Sequence, residues 1–505
     1  MKTASWLLAA SCLLSVVSAQ WLETTIQLPD SLGSLFEPQA LEYNSVNNKA
    51  YVGCDSGVLV VGGATNQRLA RILTGGPVVA LSYNPQNNKV YCANAGDSTV
   101  TVIDGATDSV LATVTVGSYP RALCYNPQDN RVYAANTGSY PSFDSTVTVI
   151  DGATDSVLAT VTAGSAPWTL CYNPQNNKVY SANFDDSTVT VIDGATNSVL
   201  ATVAAGNSPC ALSYNPQNNK VCCANGNDST VTVIDGATDS VLATVAVGSY
   251  PLALCHSPTN NKAYCANRGS NNVTVIDGAT NSVLATVAAG DGPIALCYNP
   301  QNNKVYCANW SSRNVTVIDG ISDSVLATVA AGIMPWALCY NTQNNKVYNP
   351  QNNKVYCANG NSNNVTVIDG ATNQVLRTIG VGAWPRDFTW NPAQNRVYVA
   401  NSQGSSISVL RDSGGGIEED LKPQASSPTP TATVVRGVLV IPASGAKREA
   451  SSVLLDISGR KVLDLRPGPN DVRRLSAGVY FVRSEPSAVS GKPSAVTVRK
   501  VVVQR

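Results

Sequence analysis

VIDGATDSVLATVAVGSYPLALC, running from Val233 to Cys255, is the stretch whose reading decides the fold. Close copies of it, with the NPQNNKVYCAN that normally follows, recur along most of the chain. The aspartate of the IDG triplet stands at Asp104, Asp151, Asp193, Asp235, Asp277, Asp319 and Asp369, and most steps are 42 residues. Two steps are longer. Five extra residues in TGSYPSFDS (Thr137 to Ser145) explain one. An eight-residue stutter explains the other: NTQNNKVY (Asn341 to Tyr348) is followed at once by NPQNNKVY (Asn349 to Tyr356). A period of this size marks a repeat architecture, in which each unit buries its apolar faces against its neighbours.

Each copy divides into four short runs. SVLATVAV, PLALCYN, NKVYCAN and STVTVID are rich in Val, Thr, Tyr and Leu, as strands are. STVTVID alternates with period two. NPQNN and DGATD or DGATN supply turn chemistry between them. Four antiparallel strands per unit predict an all-β chain, a β-propeller of four-stranded blades. We name the strands d, a, b and c in chain order. The first d strand is expected over Trp21 to Leu28, with a, b and c near Ala40 to Asn44, Lys49 to Gly53 and Val58 to Val61. The last a, b and c are expected over Asp387 to Asn391, Arg396 to Asn401 and Ile407 to Leu410. The count is nine sets. The degenerate first unit and the stutter in the eighth leave eight blades as an alternative. The array starts with d and stops after c, the offset that lets the N-terminal strand complete the last sheet and hide both edges.

The flanks have other characters. Residues 1–19 carry a lysine, a short apolar run and Val17-Ser18-Ala19, the pattern of a secretory signal peptide. No stretch is long and apolar enough for a transmembrane helix. A secreted or cell-surface location is expected. Lysine plus arginine balance aspartate plus glutamate at 33 each, which gives no basic stripe for nucleic acid. Residues 412–433 are rich in Gly, Ser and Pro and read as a linker, after a propeller spanning 20–411. Residues 434–505 read as a small β-sandwich module, with strands in GVLVIPA, SSVLLDISGRKVLDL, AGVYFVRS and AVTVRKVVVQR.

Fourteen cysteines in an exported chain raise the question of disulfides. Complete pairs occur in three repeats: Cys255 with Cys265, Cys297 with Cys307 and Cys339 with Cys357. Elsewhere Ser or Ala replaces one partner, which points to small buried side chains. Cross-strand disulfides in the three complete pairs remain the alternative.

The array resembles the YVTN-type β-propeller family of exported and surface-layer prokaryotic proteins. KVYCANxxxxTVTVIDGATxxVxxTVxVGxxP carries the resemblance over about residues 21 to 411. The tail resembles the C-terminal sorting domain of type IX secretion through LLDISGRKV (Leu454 to Val462), LSAGVYFVR (Leu475 to Arg483) and VRKVVVQR (Val498 to Arg505). That resemblance implies the type IX secretion machinery as a partner, with release or surface attachment to follow.

Chemistry-bearing motifs are few. The single histidine, His256, reads as a drifted copy of a repeated tyrosine. No GxSxG, HExxH, Walker or dinucleotide motif occurs. The IDG aspartates read as turn residues. The aspartates of the Asp-Ser pairs, Asp97, Asp144, Asp186 and Asp228, lack the oxygen density of a calcium loop. No metal, no cofactor and no catalytic residue is expected.

The copies differ mainly in two loops. In an up-and-down blade the a–b and c–d turns share one face, and the d–a and b–c loops share the other. The first pair hardly varies. The second supplies Tyr119, Arg121, Trp168, Phe184, Tyr250, Arg268, Asp291, Trp310, Arg313, Met334, Trp336, Trp384 and Arg386. Trp, Tyr and Arg dominate recognition surfaces. The expected function is non-enzymatic binding of an extracellular protein, peptide or glycan through that face. The alternatives are a structural surface-layer or adhesive spacer, and a propeller hydrolase or lyase. Binding predicts Trp168, Trp336 and Trp384 exposed around one mouth; catalysis predicts paired carboxylates or a metal inside it.

Overall fold

A computed structural model describes residues 20–28, 35–340 and 353–412, and then 433–435, 438–441, 452–455, 460–466, 468–472, 474–476, 478–484 and 497–503. The expected signal peptide and nearly all of the expected linker lie outside the described residues. The chain divides into two compact units, Met1–Glu418 and Glu419–Arg505.

Nine four-stranded antiparallel sheets make up the first unit. Blades 1 to 8 are formed by residues 40–73, 78–115, 120–162, 167–204, 209–246, 251–288, 293–330 and 335–380. Blade 9 combines residues 385–412 with the N-terminal strand Gln20–Gln27, which pairs with Ser406–Asp412 from Gln20 opposite Asp412 to Gln27 opposite Ser406. The innermost strands touch in order around the ring, and Ala40–Asn44 of blade 1 meets Pro385–Asn391 of blade 9. Nine blades, not eight, is the outcome. In blade 8, Pro335–Tyr340 pairs with Lys354–Asn359, Tyr340 lying opposite Val355. The second copy of the stutter therefore supplies strand b.

Burial follows strand position. Strand b is buried on both faces, as in Lys178–Asn183, whereas strand d is half exposed, as in Val199–Ala204. Alternation sends successive b residues to opposite neighbours. Tyr180 and Ala182 of blade 4 pack forward against Val221, Cys223 and Ile234 of blade 5. Val179 packs back against Tyr133 and Val149 of blade 3.

The repeated polar residues join blade to blade. Lys178 Nζ reaches the c–d turn of blade 5, bonding Gly236 O at 2.9 Å and Asp239 Oδ1 at 2.8 Å. The Tyr180 hydroxyl donates to the same carboxylate at 3.2 Å. Equivalent clasps run from Lys49 to Asp108, Lys89 to Asp155, Arg131 to Asn197, Lys220 to Asn281, Lys262 to Asp323, Lys304 to Asn373 and Lys354 to Asp412. Arg396 of blade 9 closes the circuit on Gly63 and Ala64 of blade 1, and also pairs with Glu23. Lysine is rarely buried without such partners.

A second belt lies beside the first. Asn173 Nδ2 donates to Asn219 Oδ1 of the next blade at 2.8 Å, and Asn84 does the same to Asn130. A Cβ on Gly236 would collide with Asn219 Oδ1 and Asn173 Nδ2, so the glycine of IDG admits this belt. The aspartate of IDG caps its own turn: Asp235 Oδ1 accepts the N–H groups of Thr238 and Ala237, each at 2.8 Å. Those bonds, Thr238 first, hold its carboxyl below the usual range.

The six paired cysteines are free thiols, not disulfides. Strand register gives the reason. Cys255 lies opposite Tyr264, while Cys265 lies opposite Leu254, so the two side chains leave blade 6 on opposite faces. Cys297 with Cys307 and Cys339 with Cys357 repeat the arrangement. The b-strand thiols serve as donors. Cys223, Cys265, Cys307 and Cys357 point their S–H at the Oδ1 of the asparagine two residues on, at 3.4 to 3.6 Å, as the Ser181 hydroxyl does to Asn183 at 3.1 Å. Those asparagines in turn donate to strand c; Asn183 Nδ2 bonds Thr188 and Thr190. Cysteine and serine exchange because each is small and each can donate.

In the second unit Thr433–Val435, Thr497–Val503, Gly478–Ser484, Ser452–Leu455 and Lys461–Leu465 form a five-stranded sheet in that spatial order. Val438–Ile441 pairs with Gly468–Asp471. Thr433–Val435 and its neighbour Thr497–Val503 run parallel.

Candidate binding face

The d–a and b–c loops are tied together within each blade. Phe184 N–H donates to Ala166 O, Arg268 N–H to Tyr250 O, Trp310 N–H to Gly292 O and Gly360 N–H to Met334 O, each at 2.9 Å. The Asp-Ser aspartates act as braces between the same loops. Asp144 Oδ2 accepts Ser118 N–H at 2.6 Å, and Asp228 Oδ2 accepts Asn207 N–H at 2.6 Å. The residue ahead of the loop proline takes a positive φ even when it is large, +56° at Tyr250 and +58° at Trp384. Such backbone costs about 1 kcal/mol or more per residue and is held by its surroundings.

Just inside these loops the innermost strand carries a bulge. In blade 3, Pro120 lies opposite Asn136 and Ala122 opposite Ala135, which leaves Arg121 without a ladder partner. Bulges re-aim side chains. The same irregularity leaves Trp168, Trp336 and Arg386 without a ladder partner on the innermost strand in blades 4, 8 and 9. It does the same to Cys210, Leu252 and Ile294 in blades 5, 6 and 7, and to Val79 in blade 2.

Stacking gathers the sequence-predicted residues into three groups. Between blades 3 and 4, the Arg121 guanidinium lies 3.5 Å from the Trp168 ring centroid, and Phe184 stacks on Trp168 at 5.0 Å. Between blades 6 and 7, Arg268 lies 5.9 Å from Tyr250 and 5.3 Å from Trp310. Between blades 8 and 9, Arg386 lies 5.9 Å from Trp336. Trp384 lies against Gly360 and donates its backbone N–H to Asn363 Oδ1 at 3.0 Å. Tyr119 offers its carbonyl to Thr137 N–H. Asp291 accepts from Asn271 Nδ2 at 3.0 Å, and Arg313 stands exposed at φ +57° outside the stacks.

Tryptophan exposure is uneven. Trp336 is 38% exposed, whereas Trp168 and Trp384 are half-buried. Trp168 has Arg121 on its ring and Phe184 stacked against it. It carries an arginine rather than offering a bare ring. Arg121, Arg268, Arg313 and Arg386 make no ion pair or side-chain hydrogen bond among the described residues. Burial lowers the pKa of Arg121, and the neighbouring Tyr119 opposes that shift.

No family model matches the chain, and no curated protein matches it. Among solved structures it is similar to the hydrazine synthase of Kuenenia stuttgartiensis, at 19% identity and a TM-score of 0.42, over 57% of this chain and 97% of that one. This likeness concerns the propeller fold alone.

Two features went unseen in the sequence. Glu42 of blade 1 and Asp387 of blade 9 sit on adjoining innermost strands. Burial raises Glu42 to about 7, with Asp387 adding to it, and burial raises Asp387 to about 6. Asp387 accepts the backbone N–H of Leu41 across the closure seam at 2.9 Å and that of Phe388 at 2.9 Å. Glu42 accepts the N–H of its own neighbour Tyr43 at 3.2 Å, so of the two carboxylates only Asp387 bonds across the seam. The second feature is the bulge, which leaves one position of every PxALCYN copy without a ladder partner. The one-residue register shift behind it leaves no mark in composition. His256 is half-buried on strand a of blade 6, and that burial lowers its pKa.

Proposed function

We propose that this chain is an exported, non-enzymatic β-propeller of the YVTN type that binds a protein, peptide or glycan through its variable loop face. The sorting-type tail delivers it to, or beyond, the cell surface through type IX secretion. One observation carries the binding reading. On the invariant face the repeated polar side chains are engaged in bonds between blades. On the variable face Arg121, Arg268 and Arg386 lie against aromatic rings and, with the exposed Arg313, make no ion pair or side-chain hydrogen bond among the described residues. An unpaired charge beside a rigid aromatic ring is the composition of a recognition surface. The test is a glycan and peptide array probed with the full chain and with a variant combining Arg121→Gln, Arg268→Gln and Arg386→Gln. Signal that the variant loses supports the face; equal signal from both proteins removes it.

A second reading rests on the outer rim. Each strand d of blades 2 to 8 presents an adjacent Val-Leu pair, such as Val199 at 42% and Leu200 at 46% exposed. Such a belt suits side-by-side packing in a surface layer. Sedimentation of the full chain across concentration distinguishes the two: a monomer at all concentrations removes the spacer reading.

A further inference from the structure

The junction between blades 5 and 6 departs from the others. Eight blades carry a fully buried tyrosine on strand b, Tyr133 and Tyr180 among them. In blade 5 Cys222 takes its place. The tyrosine hydroxyl normally donates to the c–d turn of the next blade. Tyr133 meets Asn197 Oδ1 at 3.3 Å, and Arg131 shares that oxygen at 2.9 Å. Blade 6 offers the matching oxygen, Asn281 Oδ1, with Lys220 Nζ at 2.8 Å but no tyrosine.

Two facing side chains shrink as well. Ala263 stands where blades 5 and 7 have Val221 and Val305, and it shares one apolar cluster with Cys222. His256 lies opposite Ala263, hence on the same face, where those blades have Tyr214 and Tyr298. At the flanking junctions the two tyrosines meet in one cluster, Tyr180 with Tyr214 and Tyr264 with Tyr298. The blades have not closed on the loss. Lys220 to Gly278 O is 2.7 Å and Asn215 to Asn261 is 2.8 Å, against 2.9 Å and 2.8 Å for Lys178 to Gly236 and Asn173 to Asn219. Cys222 keeps 6% exposure and Ala263 4%, where Tyr180 and Val221 keep none, so a water-sized space touches both. Both ring nitrogens of His256 are buried without a hydrogen-bond partner.

We propose that this space binds a small free phenol, its ring on Cys222 and Ala263 and its hydroxyl donating to Asn281 Oδ1. The guest takes the volume and the bond that tyrosine supplies at the other junctions. A wall that loses a ring relaxes only in part. Apolar cavities left by a lost side chain take up small aromatic molecules. A peptide tyrosine would bring main chain that two packed strands exclude, so the source is a free molecule. The site lies between strands b, away from the variable loops, and does not rest on the binding reading above.

The experiment titrates the full chain with 4-fluorophenol, read by fluorine NMR. Fluorobenzene is the probe without a hydroxyl, and N-acetyltyrosinamide is the competitor that carries main chain. 4-Fluorophenol is expected to bind with a Kd of about 1 mM. Fluorobenzene is expected to bind about tenfold more weakly. Cys222→Tyr and Ala263→Leu fill the space from opposite sides, and each is expected to weaken 4-fluorophenol by about tenfold or more. Cys222→Ser leaves the space open and keeps the binding. Thermal midpoints show that each variant is folded, and Cys222→Tyr is expected to raise the midpoint. Absence of 4-fluorophenol binding overturns the proposal, as does equal affinity in the wild type and both filled variants. Fluorobenzene binding as tightly as 4-fluorophenol removes the hydroxyl contact and with it the phenol. Displacement by N-acetyltyrosinamide overturns the free molecule in favour of a tyrosine on a partner chain.

Discussion

Lys49 Nζ lies 2.8 Å from Asp108 Oδ1, although the lysine opens a strand of blade 1 and the aspartate closes a turn of blade 2. Both side chains are about one-tenth exposed, and the ammonium also bonds the carbonyls of Gly105 and Ala106 at 2.9 Å. The relationship repeats around the ring. It explains why NNKVY and DGATD stay fixed while the loops between them drift.

Removing one member of a clasp leaves the other buried and unpaired. Lys178→Ala strands Asp239, and the expected loss is about 3 kcal/mol in urea unfolding. A change under about 0.5 kcal/mol would assign the ring's cohesion to apolar packing alone.

Some clasps are one charge short. Lys304 meets Asn373 at 2.8 Å where other blades offer aspartate, and burial lowers its pKa. Asn373 has φ +61°, and Asp108 adopts the same value, so aspartate fits. Asn373→Asp is expected to stabilise the chain by about 1 kcal/mol, read as a higher thermal midpoint.

The serine-to-asparagine bond on strand b can be added or removed. Asn136 Oδ1 is buried without a donor, and Ala134 stands where Ser181 serves Asn183. Ala134→Ser is expected to gain about 1 kcal/mol, and Ser181→Ala to lose about as much. Opposite signs in thermal unfolding are the check.

The closure seam carries a pH dependence. Glu42 and Asp387 bind protons more tightly folded than unfolded, at about 7 against 4.5 and about 6 against 3.8. Their contribution is therefore full below about pH 4 and is lost as pH rises through 6 to 7. Glu42→Gln removes its share. The variant is expected to exceed the wild type at pH 8 by on the order of 2 kcal/mol, with little difference at pH 4. Parallel stability curves would refute the coupling.

The period and strand order made the ring legible. Ala40–Asn44 and Lys49–Gly53 fall where turn chemistry and β-branched runs put them. The blade count needed register: only the pairing of Tyr340 with Val355 shows which half of the stutter is strand b. The thiols needed register too, since a spacing that looks like a hairpin pair leaves Cys255 and Cys265 on opposite faces. The face holding Trp168 followed from chain order. That its ring lies between Arg121 and Phe184 is a packing outcome, set by side chains from two blades. The clasps were readable in principle, through a lysine and an acid or amide about one and a half periods apart in every copy.

Such clasps make the units interchangeable. A junction built from Lys, Tyr and an Asp-Gly turn does not depend on which copies meet there. A gene of near-identical segments can gain or drop one by unequal exchange, and every remaining internal boundary is already complementary. The pairing of Gln20–Gln27 with Ser406–Asp412 then closes the ring, with a small change of angle shared among all the junctions. Ring size is then an inheritable variable separate from blade design, and each exchange also reshuffles which side chains line the mouth.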